Sequence, residues 1–250
     1  YASVLGQLGN VRRAQGDPNG SLKLYALALD MHEEMGDSPN KGRVLSYMGS
    51  LLLDLNRLDE ANEKYEQALE IFECVGDTRQ AGIVNGNMGR LMHHRGLSME
   101  ALNLYRRGIE QLKSVNDLRF QSLFEGTIGA LLHEMGKMKK AKETYAEAVV
   151  ALKTLGDKRF QALNLARLGA LEADIGEVDA AKRCFDAAWA HLEVIQDPLG
   201  RKAVAIHEAH LWVALARNGT EREKNVSTAV QIFRTMSGQQ ENSKRQIRSA

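Results

Sequence analysis

Residues 87–94, Asn-Met-Gly-Arg-Leu-Met-His-His, gather Asn87, Arg90, His93 and His94 into one short stretch. Arginine grips carboxylates through a planar fork of donors, and asparagine can bond to peptide backbone, so this set suits binding. A metal or pH-switch reading falls on His93 and His133, which lie 40 residues apart. No carboxylate or cysteine shares their register, so ordinary surface histidines are expected there. "HEAH" at 207–210 spaces its histidines by three, not by the four of a zinc-protease helix. "GALLHEMGK" at 129–137 has the wrong spacing for a phosphate loop and lacks Ser or Thr after Lys137. GxSxG and GxGxxG are missing from the sequence, and the sequons at Asn19, Asn218 and Asn225 read as chance matches in turns and caps. Enzymatic activity is therefore not expected, nor is a metal or any other cofactor.

Bulk properties narrow the partners. Lys and Arg number 33 against 32 Asp and Glu, a formal charge of +1, with the two signs interleaved along the chain. That balance makes no strong field for nucleic acid or an anionic membrane. No apolar run approaches the ~20 residues of a membrane span. Cys74 and Cys184 are isolated, which argues for a reducing compartment and a cytoplasmic location over a disulfide scaffold. An opening on Tyr1 instead of methionine leads us to expect a piece of a longer protein.

The elements that would position these residues are written as a repeat. Asp37, Asp77, Asp117, Asp157 and Asp197 recur every 40 residues, and so do Gly9, Gly49, Gly89, Gly129 and Gly169. A third column is aromatic: Tyr25, Tyr65, Tyr105, Tyr145 and Phe185. Alanines stand four residues before most of these rings and three after, with Gly108 once in the later slot. Between the markers the apolar residues keep a helical period; residues 61–72 place Ala61, Tyr65, Ala68, Leu69 and Phe72 on one face. Residues 43–55 are apolar over a wider arc and should be buried on more than one side. Each unit therefore predicts two helices, each ~25 Å long at 1.5 Å per residue.

Gly36, Gly76, Asn116 and Gly156 can take the left-handed conformation that ends a helix, and the aspartate that follows can cap the next one. Gly16, Asn56, Gly96, Gly136 and Gly176 mark the turn inside each unit. Mid-helix glycine costs roughly 1 kcal/mol against alanine, so a column of them requires close approach of a partner helix. The aromatic ring is expected to fill the gap between hairpins. Units at about 1–36, 37–76, 77–116, 117–156 and 157–196 follow, then a degenerate capping unit at 197–236, together one array over 1–236. Its last helix, near 221–236, should bury Val226, Ala229, Val230 and Phe233. Trp189 and Trp212 read as core or end-cap packing, and residues 237–250 as a polar tail or linker.

Leu8-Gly9, Met48-Gly49, Met88-Gly89 and Leu168-Gly169, each followed by Ala-x-x-x-Tyr/Phe or its equivalent, resemble the tetratricopeptide repeat. The period departs from the usual ~34 residues, and the proline that closes the second helix is missing. The units are similar to those of spindle-orientation adaptors, kinesin light chains and bacterial multidomain signalling regulators. The resemblance implies an all-α, right-handed solenoid that acts as a scaffold. Its first helices would line a concave groove for a peptide or partner domain. In related arrays an asparagine two before the glycine reaches peptide backbone; here only Asn87 matches, beside Gln7, Tyr47, Thr127 and Arg167.

The expected groove set is thus Asn87, Arg90, His93 and His94, flanked by Arg13, Tyr47, Ser50, Thr127, His133 and Arg167. The expected partner is a protein or peptide bearing carboxylates. Other domains of the same parent chain, or a second copy stacked on the open first unit, are the alternatives. The plain alternative is a solvated face that holds nothing.

Overall fold

The protein is described here by a computed structural model, which covers residues 1–217 and 223–232. Every regular element among the described residues is helical. The order is α1 (Ala2–Ala14), α2 (Pro18–Glu34), α3 (Ser38–Asp54), α4 (Leu58–Val75), α5 (Thr78–His94) and α6 (Ser98–Ser114). Then come α7 (Leu118–Glu134), α8 (Met138–Leu155), α9 (Lys158–Asp174), α10 (Val178–Ile195) and α11 (Pro198–Arg217), with a final helix, α12, over 223–232. The chain is an all-α helical-repeat solenoid, as the period predicts. It divides into two compact units, Tyr1–Phe124 and Glu125–Ala250.

The helices stop and start where local chemistry requires. Gly76 ends α4 with φ +73°, and Asp77 then caps α5 by accepting from the Gln80 N–H at 2.9 Å. The same capping bond is made by Asp37 to Asn40, Asp117 to Phe120 and Asp157 to Phe160. Asn116 and Gln196 adopt positive φ in glycine's place, 56° and 48°. For glutamine that conformation costs on the order of 1 kcal/mol. Gly16, Asn56, Gly96, Gly136 and Gly176 all turn left-handed between the helices of a hairpin, as expected.

In the first unit, α1/α2, α3/α4 and α5/α6 form three hairpins. Tyr25, Tyr65 and Tyr105 are fully buried. A Cβ on Gly49 would stand 2.8 Å from the Tyr65 ring, which explains the glycine column. The ring thus lies chiefly inside its own hairpin, on the first helix. It reaches the next hairpin as well: Tyr25 meets Tyr47 at 6.2 Å between centroids. Residues 44–46 and 49–53 of α3 are buried, bearing out the wide apolar arc.

The second unit repeats the scheme. Gly129 faces Tyr145 and Gly169 faces Phe185. Its cores combine Leu132, Ala141, Tyr145 and Leu171, then Ala162, Ala166, Phe185, Leu192, Val204 and Leu211. Trp189 packs on the latter cluster, and Trp189 and Trp212 both donate to Glu208, at 2.8 and 3.4 Å, consistent with end-of-unit packing.

The face assigned to the last helix needs correction. Ala229 is buried, but Val226 and Val230 are 45% and 40% exposed, and Asn225 takes the inner place. The helix is rotated relative to its apolar pattern, because packing and not hydrophobicity alone sets the angle of a short terminal helix. Phe233 and the tail at 237–250 lie outside the described residues.

The joints between hairpins carry one more bond. Arg79 of α5 donates to Asp117 at 2.7 Å, one joint later, with its guanidinium 5.5 Å from the Phe120 ring. In the second unit Arg159 makes the same ion pair with Asp197 at 2.8 Å. In Asp77-Thr78-Arg79 and in Asp157-Lys158-Arg159 the aspartate therefore caps a helix and the arginine braces the following joint.

Candidate binding face on the first helices

In the first unit α3 lies between α1 and α5, and their side chains meet at one carboxylate. Arg13 of α1 donates to Asp54 of α3 through Nε at 2.8 Å and a terminal nitrogen at 2.5 Å, and reaches the Ser50 carbonyl at 3.3 Å. Arg90 of α5 approaches the other Asp54 oxygen at 3.9 Å. Asp54 keeps 48% of its side chain exposed, so solvent screens these pairs and each adds at most about 1 kcal/mol to stability. Their importance is chemical: two guanidinium groups from neighbouring helices converge where a carboxylate already sits.

The other expected residues of this unit divide. Tyr47 and Asn87 are partly exposed, His93 likewise, and His94 is exposed. They stand on α3 and α5, the helices that carry Asp54 and Arg90. Ser50 is buried instead. Its hydroxyl donates to the Ser46 carbonyl at 3.0 Å and accepts from Tyr65 at 3.0 Å, so it serves the hairpin and leaves the candidate set.

The second unit carries Thr127, His133 and Arg167 on its own first helices, all partly exposed. His133 Nε2 lies 3.0 Å from Asp174, an ion pair when the imidazole is protonated. The histidine register reads as carboxylate-free in the sequence only because Asp174 is displaced by one position. The two histidines of "HEAH" fall on these columns as well. Extending the Gln7, Tyr47, Asn87, Thr127, Arg167 column by one period reaches His207, and the next column reaches His210. Burial pushes His207 down to about 4, helped by the positive charges of Arg167, His210 and His133. His207 is therefore a neutral imidazole near pH 7, able to donate one bond and accept another.

Elsewhere the chemistry is structural. Among the described residues no group of three or more His, Cys, Asp or Glu is arranged to hold a metal ion. Residues 129–134 of the loop-like "GALLHEMGK" are in α7. Among the described residues no helix is long and apolar enough to cross a membrane.

Comparison with known proteins agrees with the helical-repeat fold. Two tetratricopeptide-repeat family models match, over residues 1–73 and 126–149. No curated protein sequence matches the chain. Among solved structures, a signal transduction ATPase with numerous domains and a tetratricopeptide repeat sensor, from Pyrococcus horikoshii, aligns with TM-score 0.74 at 19% identity. That alignment covers 94% of this chain and 36% of the ATPase. A Rap protein complexed with competence and sporulation factor gives 0.73 at 14% identity, over 95% of this chain and 74% of its own. BtubC from P. vanneervenii gives 0.65 at 20%, over 77% and 80%. At such identities the likeness concerns the fold. With the paired helices, and the glycine and aromatic columns packed as described, the family matches show that the chain carries tetratricopeptide repeats.

Proposed function

We propose that this protein is a scaffold that binds a polypeptide partner on the first-helix face of its first unit and breaks no covalent bond. Asn87 and Arg90 lead the contact, with Arg13, Tyr47, His93 and His94 beside them. Thr127, His133 and Arg167 form a separate, second patch on the other unit. The observation that carries this reading is the convergence of Arg13 and Arg90 on Asp54, because a site that accommodates one carboxylate has the donors to take another. A partner with acidic side chains or a free C-terminus fits it. The fold-level likeness to a Rap protein that was solved with a bound factor supports the same class of role.

The experiment is affinity measurement between the full chain and partners recovered with it, repeated with Asn87→Ala/Arg90→Ala. Loss of about tenfold or more in affinity is expected, and unchanged affinity would remove the site. A second reading, a regulatory arm that contacts its own parent chain in a cytoplasmic signalling protein, is favoured by the likeness to the sensor-bearing ATPase, of which this chain spans 36%. Binding to isolated upstream or downstream domains, and to no other protein, would select it. The row Val4, Leu8 and Val11, all exposed on α1, favours a third arrangement in which copies stack. A monomer mass in light scattering at every concentration would count against stacking.

A further inference from the structure

The first unit has a cavity on its other side, away from the arginine pair. It measures about 560 Å³ and opens between the second helices α2 and α4, above the first half of α3. Leu29, Leu45, Ile71 and Val75 line it with apolar groups, and Glu33 and Glu70 stand among them. A second hollow adjoins it along α4, sharing Glu70 and Cys74 and adding Glu66 and Glu73. The helix α4 therefore borders an apolar trough with a row of carboxylates. Lys41 pairs with Glu33 at 2.9 Å and Arg107 with Glu73 at 2.8 Å. Among the described residues no cation pairs with Glu66 or Glu70.

The repeat makes this trough stand out. The positions of Leu45 and Ile71 recur one period later as Asn85 and Gln111, which bond to each other at 2.8 Å and put a polar pair where the trough has an apolar one. Arg107 spans that later joint to Glu73. The next equivalents are Glu125 with Ala151 and Leu165 with His191. Of these joints, the one between α2 and α4 alone keeps an apolar pair with an acidic border. Hairpin stacking does not require the difference, since within the first unit the joint between α4 and α6 forms without it. An apolar floor edged by one sign of charge is instead the form of a recognition surface.

We propose that this trough docks a segment of a partner protein whose apolar side chains are flanked by lysine or arginine. The apolar groups would fill the space over Leu45 and Ile71, and the cations would meet Glu66 and Glu70. This surface is chemically opposite to the arginine-lined first-helix face, so the two would hold different segments.

The test uses the full chain and two labelled synthetic peptides of equal length and equal leucine content, one flanked by lysines and one by glutamates, followed by fluorescence anisotropy. The lysine-flanked peptide should bind about tenfold or more tightly, and the preference should weaken as salt rises. Glu66→Lys/Glu70→Lys should reverse the order of the two peptides. Leu45→Asn/Ile71→Gln, which copies the natural pair one period later, should abolish binding while circular dichroism stays unchanged. Exposed Cys74 should be shielded from maleimide by the lysine-flanked peptide. Equal affinity for the two peptides, or Cys74 labelling unaffected by peptide, would overturn the proposal. So would binding lost in Asn87→Ala/Arg90→Ala and kept in Leu45→Asn/Ile71→Gln, a result that would leave the first-helix reading standing. A concentration-dependent dimer abolished by Leu45→Asn/Ile71→Gln would place a second copy in the trough and overturn it as well.

Discussion

The two units use one register for different chemistry. In the first, Arg13 and Arg90 hold Asp54, so the face is fixed by groups whose charge does not change at ordinary pH. In the second, Asp174 has the equivalent place, but its partner is His133, and His207 sits half-buried nearby. A backbone repeated almost without change thus presents a permanent charge cluster in one unit and a titratable one in the other. Specificity in a repeat array is written in the slots that packing leaves free, and these are the slots where the units diverge.

The largest test of that comparison removes the feature the units share. Tyr65→Ala and Tyr145→Ala should each cost about 3–5 kcal/mol, the range for deleting a fully buried ring. Hydrogen exchange read separately over 1–124 and 125–232 should show the greater loss of protection in the unit that was mutated. Equal loss in both would mean the units do not unfold separately.

Acid should then distinguish them. His207 is lowered from 6.5 to about 4 in the folded chain by burial first, then by Arg167, His210 and His133. The unfolded state therefore binds the proton more readily, and stability rises with pH between those values. The contribution is fully present above about pH 6.5 and is lost as pH falls towards 4, on the order of 3 kcal/mol in all. Melts of the wild type should show this loss, and His207→Gln should flatten it.

Thiol chemistry separates the units by a smaller margin. Cys74 is exposed in the first, whereas burial, with Glu172 adding to it, pushes the Cys184 thiol up in the second. Maleimide near pH 7 should modify Cys74 about tenfold faster or more. Smallest of all, Asp54→Ala should change stability by only about 1 kcal/mol or less, since the pair is solvated. Its effect should appear instead as tighter binding of acidic peptides to the freed arginines, read by anisotropy. Weaker binding would show that Asp54 itself belongs to the partner's contact.

Much of the scaffold was legible in the residues. A capping aspartate, a left-handed glycine, and a ring opposite a glycine are local or within one hairpin, so they repeat in register and the period exposes them. Asp54 was not legible, because the bonds that matter there join helices at a separation of 41 residues, and the joint struts at 38. Those offsets from the period depend on how adjacent helices slide and rotate past one another. Ser50 looked available for the same reason: its sequence position places it beside the groove, but only packing decides that Tyr65 reaches it.

The sequence by itself determined the helical class, the 40-residue hairpin, its turns and its caps, since each follows from short-range sterics and hydrogen bonding. Only the tertiary structure decided which polar residues spend their bonds inside the array and which stay at its surface. It also decided that Leu45 and Ile71 line a trough, whereas Asn85 and Gln111 bond to each other. The physical reason is that periodicity places side chains on a face, and the contact between faces alone determines what remains uncovered.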